Sequence, residues 1–282
     1  MRLFSITILM LGLLAANCTT ENKKQVVYTD YDLGKSEKFI MPESLSEVSG
    51  IAFSGGRSDT VYAIQDEDGS VFRLKWGESN QKHTKFAGKG DYEDLAIVDD
   101  TIYVLNSNGT IYAFPESENA NGKAAAVTEW KKVLPKGEYE GLAAGSTSGE
   151  LIVLCKDCRD HDPAHEAAAY RLRRSGGELR VSGRITVNVD KIRKLSGKSP
   201  KEFHPSGLAY QPQLRKWYII SAANKLLVVT NTDWVVSEVF HLNSNKFNQP
   251  EGIAFDLGGA LYISNEGDDL TSGNILRFNL KH

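Results

Sequence analysis

A short motif of the form [Ser/Glu]-[Gly/Asp]-[Ile/Leu]-Ala occurs five times, as Ser49-Gly50-Ile51-Ala52, Glu93-Asp94-Leu95-Ala96, Glu140-Gly141-Leu142-Ala143, Ser206-Gly207-Leu208-Ala209 and Glu251-Gly252-Ile253-Ala254. The first positions are separated by 44, 47, 66 and 45 residues, and three of these intervals match the length of a four-stranded propeller blade. Each copy is followed by a run of β-branched and aromatic residues that reads as a second strand: Thr60–Ile64, Thr101–Leu105, Leu151–Leu154, Trp217–Ile220 and Leu261–Ile263. Tight turns come next, clearest at Asp68-Gly69 and Asn108-Gly109, and third strands such as Ser70–Leu74 and Thr110–Phe114 follow. Strand–turn units at this spacing exclude a helical bundle and predict an all-β chain folded as a single β-propeller.

Radially arranged blades leave only short, protected edges, so the ring has to close. The fifth motif begins at Glu251, and only three strands fit between it and His282. The missing outer strand is expected from the segment Lys35–Met41, just before the first motif. Five blades follow, with six as the alternative if the 66-residue interval hides a degenerate copy. Within that interval Val189, Ile192 and Leu195 are spaced by three, which predicts a short helix over Asn188–Ser196 rather than a blade.

The stretches Leu45-Ser46-Glu47-Val48-Ser49-Gly50-Ile51, Tyr92–Ala96, His204-Pro205-Ser206-Gly207-Leu208 and Gln249-Pro250-Glu251-Gly252-Ile253-Ala254 resemble the SdiA-regulated propeller family of bacterial envelope proteins. The resemblance spans nearly the whole chain that follows the first 17 residues, and the last two stretches are its most specific parts. It implies a propeller fold and a place outside the cytoplasm, and it implies no particular activity.

The N-terminus agrees with that location. Arg2 precedes an apolar run, Leu3–Ala16, that is too short to span a bilayer but suits the core of an export signal. The run ends Leu14-Ala15-Ala16-Asn17-Cys18, which resembles a lipobox except that Asn17 stands where a smaller residue is commoner. The expected organisation is a signal peptide over 1–17, a polar tether over 18–34 anchored by acyl chains (palmitate among them) on Cys18, and a propeller over 35–282. The expected location is the cell envelope, in a Gram-negative cell the outer membrane, and the bilayer is then the first partner. With 33 Lys and Arg against 36 Asp and Glu, and no basic run, nucleic acid is not an expected partner.

In a propeller the innermost strands line the axis, so equivalent motif positions converge. Ser49, Glu93, Glu140, Ser206 and Glu251 are thus expected to form a ring, with Glu47 and His204 two residues before their serines. The ends of the second strands add Asn265, with Asp66, Lys156 and Glu266 as neighbours. Three carboxylates brought together raise one another's pKa unless a cation or donors compensate. Calcium, which takes 6–8 oxygens, is the candidate metal for Glu93, Glu140 and Glu251, while Lys156 could neutralise part of the charge. The competing expectation is structural: a repeated Glu that accepts hydrogen bonds from the neighbouring blade.

The run Cys155-Lys156-Asp157-Cys158-Arg159-Asp160-His161, followed by His165, has ligand types suited to zinc. In an oxidising compartment a local Cys155–Cys158 disulfide is the commoner outcome, with free thiols as a further alternative. Gly145-Ser146-Thr147-Ser148-Gly149 lacks a serine at the centre of a nucleophile elbow and reads as a turn. Three functional readings remain: a module that binds a small molecule, glycan or envelope protein at one mouth of the channel; a calcium-dependent hydrolase of the lactonase or phytase-like kind; and a scaffold in an envelope complex. No His–Asp dyad or nucleophile motif supports the hydrolase.

Overall fold

A computed structural model describes residues 30–78, 81–119, 122–197, 201–268 and 270–281. The predicted signal peptide, Cys18 and most of the predicted tether lie outside the described residues. Five sheets form the ring. Blade 1 comprises Val48–Ala52, Val61–Gln65, Asp68–Leu74 and Lys82–Lys89; blade 2 comprises Tyr92–Val98, Thr101–Asn106, Ile111–Pro115 and Thr128–Trp130. Blade 3 is Gly137–Ala144, Glu150–Cys158, Glu166–Ser175 and Glu178–Asn188, and blade 4 is Gly207–Gln211, Lys216–Ser221, Leu226–Thr230 and Val236–His241. Blade 5 takes Gln249–Phe255, Leu261–Glu266 and Asn274–Phe278 from the C-terminal end, and Glu37–Ile40 pairs antiparallel with the last of these as its outer strand. The closure predicted from Lys35–Met41 is therefore present.

The long third interval holds no sixth blade. It is filled by the extended outer hairpin of blade 3 and by a helix over Val189–Ser196. The side chain of Asn188 caps this helix by accepting from the N–H of Lys191, and Gly197 ends it in the left-handed region at φ 67°. Val189 and Ile192 point from it into the apolar layer between blades 3 and 4. The outer edge of blade 1 is covered by Gly122–Lys123, a two-residue parallel segment sent across from blade 2.

One predicted turn is displaced. Asp68 and Gly69 lie inside the third strand of blade 1, and the chain reverses at Asp66-Glu67 instead. Gly69 serves close approach: a Cβ there would lie 2.7 Å from the carbonyl carbon of Ala87. At Asn108-Gly109 the expected turn stands, with Gly109 at φ 82°.

The second motif position shows how closely the inner strands of the five blades approach one another. Inner strands around a tight ring approach so closely that a side chain has no room. A Cβ on Gly50 would lie 2.6 Å from Cα of Asp94, one on Gly207 2.4 Å from the carbonyl of Glu251, and one on Gly252 2.5 Å from the carbonyl of Ser49. Gly141 similarly faces Leu208 at 2.8 Å. Blade 2 carries Asp94 at this position. Its buried carboxylate accepts from the N–H of Leu95 and, across the seam, from the N–H of Leu142, each at 2.8 Å. Each of the five seams is thus sealed at one motif level, four by glycine and one by aspartate.

The folded part reaches back beyond the expected boundary at Lys35. Asp30 receives hydrogen bonds from Lys216 and Tyr218, and the buried Tyr31 donates to the carbonyl of Gly259 and packs its ring near Phe255. Gly259 belongs to the loop joining the inner and second strands of blade 5. The chain therefore enters the fold at the mouth where the inner strands end.

Candidate functional site

The five inner strands give the channel two unlike mouths. At the mouth where they end, the residues four after the first motif position converge: Phe53, Ile97, Ala144, Tyr210 and Phe255, one per blade, around an apolar depression of about 190 Å³. The opposite mouth is acidic.

Two groups of carboxylates meet there. The first is Glu93, Glu140 and Glu251. Lys156 donates to Oε1 of Glu140 at 2.6 Å and to Oε1 of Glu138 at 2.8 Å. Burial, followed by the charges of Glu140, Asp91 and Glu251, pushes the pKa of Glu93 up to about 9. Burial and the charges of Glu140 and Glu266 push Glu251 up to about 8. Glu140 is raised by burial, with Lys156 working against that shift, and it lies within hydrogen-bonding reach of Glu93. The second group is Glu47, Asp66 and Glu266. The charge of Asp66 and then burial raise Glu47, burial raises Asp66, and burial followed by the charges of Asp66, Glu47 and Glu140 raises Glu266. Oδ1 of Asp66 is closed off from solvent without a hydrogen-bond partner.

The remaining members of the expected ring do other work. Ser206 donates to the carbonyl of Pro250 at 2.7 Å, which ties blade 4 to blade 5. Ser49 is buried, and its carbonyl accepts from the hydroxyl of Ser264. The imidazole of His204 faces Glu202 at 3.1 Å rather than the ring carboxylates. Asn265 is fully buried and donates to Asn274 within its own blade. Ser206 and the backbone of Ser49 thus bond neighbouring blades, and the glutamates supply the ionisable groups of the mouth.

Cys155 and Cys158 are joined by a disulfide with the Cα atoms 6.1 Å apart. The four residues of the alternative zinc set, Cys155, Cys158, His161 and His165, do not come together. His161 lies with the two sulfurs, whereas Nδ1 of His165 is 3.2 Å from Oδ2 of Asp190 on the helix. Among the described residues, this Cys155–Cys158–His161 group is the one place where three His, Cys, Asp or Glu ligand atoms lie within 4.8 Å of one another. The three axial carboxylates do not all come within that distance of one another, so a cation shared by all three would be held partly through water.

Sequence reasoning missed Asp94. Its place in a glycine column was the available signal: a carboxylate where the repeat leaves no room for a side chain must be turned into the seam.

Ring and mouth together define a class: five-bladed propellers with an acidic end to the channel. The chain belongs to the SdiA-regulated family, whose sequence profile matches residues 24–269. No curated protein sequence matches it. Among solved structures it is similar to the glutaminyl cyclase of Myxococcus xanthus, at 14% identity over 87% of this chain and 96% of that one, with a TM-score of 0.57. It is also similar to the PQQ-bound aldose sugar dehydrogenase of Streptomyces coelicolor, at 13% identity over 88% and 99%, TM-score 0.57. The calcium-binding protein regucalcin of Agrobacterium tumefaciens aligns at 11% identity over 86% and 93%, TM-score 0.51. Identities this low establish the shared fold alone.

Proposed function

We propose that the protein is a ligand-binding propeller of the cell envelope, anchored through Cys18, whose acidic mouth takes up a hard divalent cation such as calcium. The observation that carries this reading is a charge mismatch. Glu93, Glu140, Glu251 and Glu266 gather at one mouth, and among the described residues only Lys156 forms an ion pair with any of them. Carboxylates at this density supply hard oxygens for calcium, with water completing a shell of 6–8. The bound ion is then the point at which an anionic or hydroxyl-bearing ligand could be held.

The pH dependence has a fixed sign. Glu93 and Glu251 titrate near 9 and 8 in the folded protein, well above the ordinary value of 4.5. A carboxyl whose folded pKa is raised contributes stability fully below its unfolded pKa, and loses it as pH climbs through the folded value. Metal-free protein should therefore melt at progressively lower temperature from about pH 5 to pH 9. Glu93→Gln should flatten that decline and stabilise the metal-free protein at pH 8 by roughly 1–3 kcal/mol.

Calcium should reverse the decline, because the ion stabilises the ionised carboxylates. Saturation at a hundred times the dissociation constant adds about 2.7 kcal/mol, and the gain should be larger at pH 8 than at pH 6. Glu140→Gln should blunt this response. Melting curves across pH, with and without calcium, measure all of it, and a wild-type protein whose melting temperature ignores calcium at pH 8 would refute the cation reading. The anchor is tested separately: Cys18→Ser should move the protein from the membrane fraction to the soluble one. Equal fractionation of the two would remove the lipoprotein assignment.

A further inference from the structure

The disulfide of blade 3 has an unusual neighbour. Cys155 is fully buried and Cys158 nearly so, and the turn after them, closed by the N–H of His161 on the carbonyl of Cys158, brings the imidazole back over both sulfurs. Neither ring nitrogen of His161 has a hydrogen-bond partner, although both are closed off from solvent. A shielded imidazole without a partner is a rare and costly arrangement, and each instance calls for a cause. By contrast, His165, His204 and His241 each set a ring nitrogen against a polar partner: Asp190, Glu202 and the carbonyl of Ser196 respectively.

We infer that, once its disulfide is reduced, the Cys155–Cys158–His161 group is a three-coordinate site for a soft cation, copper(I). Two thiolates and one imidazole are soft donors of the kind that copper(I) favours. Zinc prefers four ligands. His165, the expected fourth, is held by Asp190, and no further His, Cys, Asp or Glu atom of the described residues joins the group. Asp160, next to His161 in sequence, accepts from Tyr170 at 2.6 Å.

The chemistry balances with a dithiol as the reductant. The S–S bond takes two electrons and two protons from the dithiol, which becomes a disulfide. Copper(I) then displaces both thiol protons to water, forming two Cu–S bonds, and the neutral ring of His161 contributes a nitrogen lone pair. In the oxidised protein the sulfurs are bonded to each other and the site is closed, so copper binding is gated by the thiol redox state.

The test uses the whole chain after residue 18, reduced with a dithiol, desalted without oxygen and titrated with copper(I) against a colorimetric copper(I) chelator. The expected result is one copper per reduced chain and none per oxidised chain, with X-ray absorption giving two sulfur and one nitrogen neighbours. His161→Ala should weaken binding by more than the roughly 10–100-fold that loss of a supporting contact costs, and His165→Ala should leave it unchanged. Should the reduced chain unfold, copper(I) added at one equivalent should refold it, as judged by circular dichroism. Failure of the reduced chain to bind or refold with copper(I), an unchanged affinity in His161→Ala, or zinc binding as tight as copper(I) would each overturn the assignment. An axial calcium response does not depend on any of these results.

Discussion

A chain that begins at Pro42 is expected not to fold. It would lose the Glu37–Ile40 strand and expose the full edge of Asn274–Phe278 in blade 5. It would also lose Tyr31, whose buried ring sits against Tyr218 and Phe255 and whose hydroxyl is bonded to Gly259. Removing one buried aromatic side chain typically costs 3–5 kcal/mol, and a whole domain is stable by about 5–15 kcal/mol. The strand and the tyrosine together therefore consume most or all of the margin. Circular dichroism and urea unfolding of chains starting at residues 24 and 42 decide the matter. Cooperative melting of the shorter chain within a few degrees of the longer would show that the ring does not depend on its closure.

The second large effect concerns the seams. Gly252→Ala places a Cβ 2.4 Å from the hydroxyl oxygen of Ser264, 2.5 Å from the carbonyl of Ser49 and 2.9 Å from the nitrogen of Ile51. The last two are backbone atoms of the neighbouring blade and cannot rotate aside, so the inner strands must separate. Overpacking of this kind costs about 3 kcal/mol, which corresponds to a fall of roughly 6–12 °C for a chain of this size. Gly88→Ala is the control: it lies in a strand with nothing within 4 Å of its Cβ, and should leave the melting temperature unchanged or slightly higher. Equal effects at the two positions would show that the glycine column is not a packing constraint.

The contrast between these two glycines marks what could be read in advance. The repeat, the closing strand and the helix at Val189–Ser196 were legible because each leaves a periodic trace: a fixed interval, a strand deficit, an apolar spacing of three. Gly50, Gly141, Gly207 and Gly252 stood out as a column, but the reason, an approach of neighbouring backbones, is a property of the closed ring. The turn at Asp66-Glu67 was misplaced by two residues because Asp68-Gly69 has ideal turn chemistry, while Gly69 is needed for contact with Ala87. Local propensity lost to packing.

At the site, the glutamates were legible because duplicated positions must meet at an axis. The fate of single side chains was not. His204 shares a ring position in sequence, yet Glu202 two residues away holds its imidazole. His165 follows His161 by four residues, but Asp190, far along the chain, diverts it. Such competition between partners is decided by three-dimensional placement, and spacing along the chain carries no record of it.

The point where the chain enters the disc sets its attitude towards a surface. Asp30 and Tyr31 dock at the rim of the apolar mouth, near Gly259 and Phe255. Eleven residues lie between Cys18 and Asp30, a reach of about 40 Å at full extension. On the Cys18 anchoring proposed above, attachment on this face would favour an apolar mouth turned towards the lipid and carboxylates turned towards open solvent. Solutes diffusing through the compartment would then reach Glu93, Glu140 and Glu251 directly, without passing through the narrow gap between disc and bilayer.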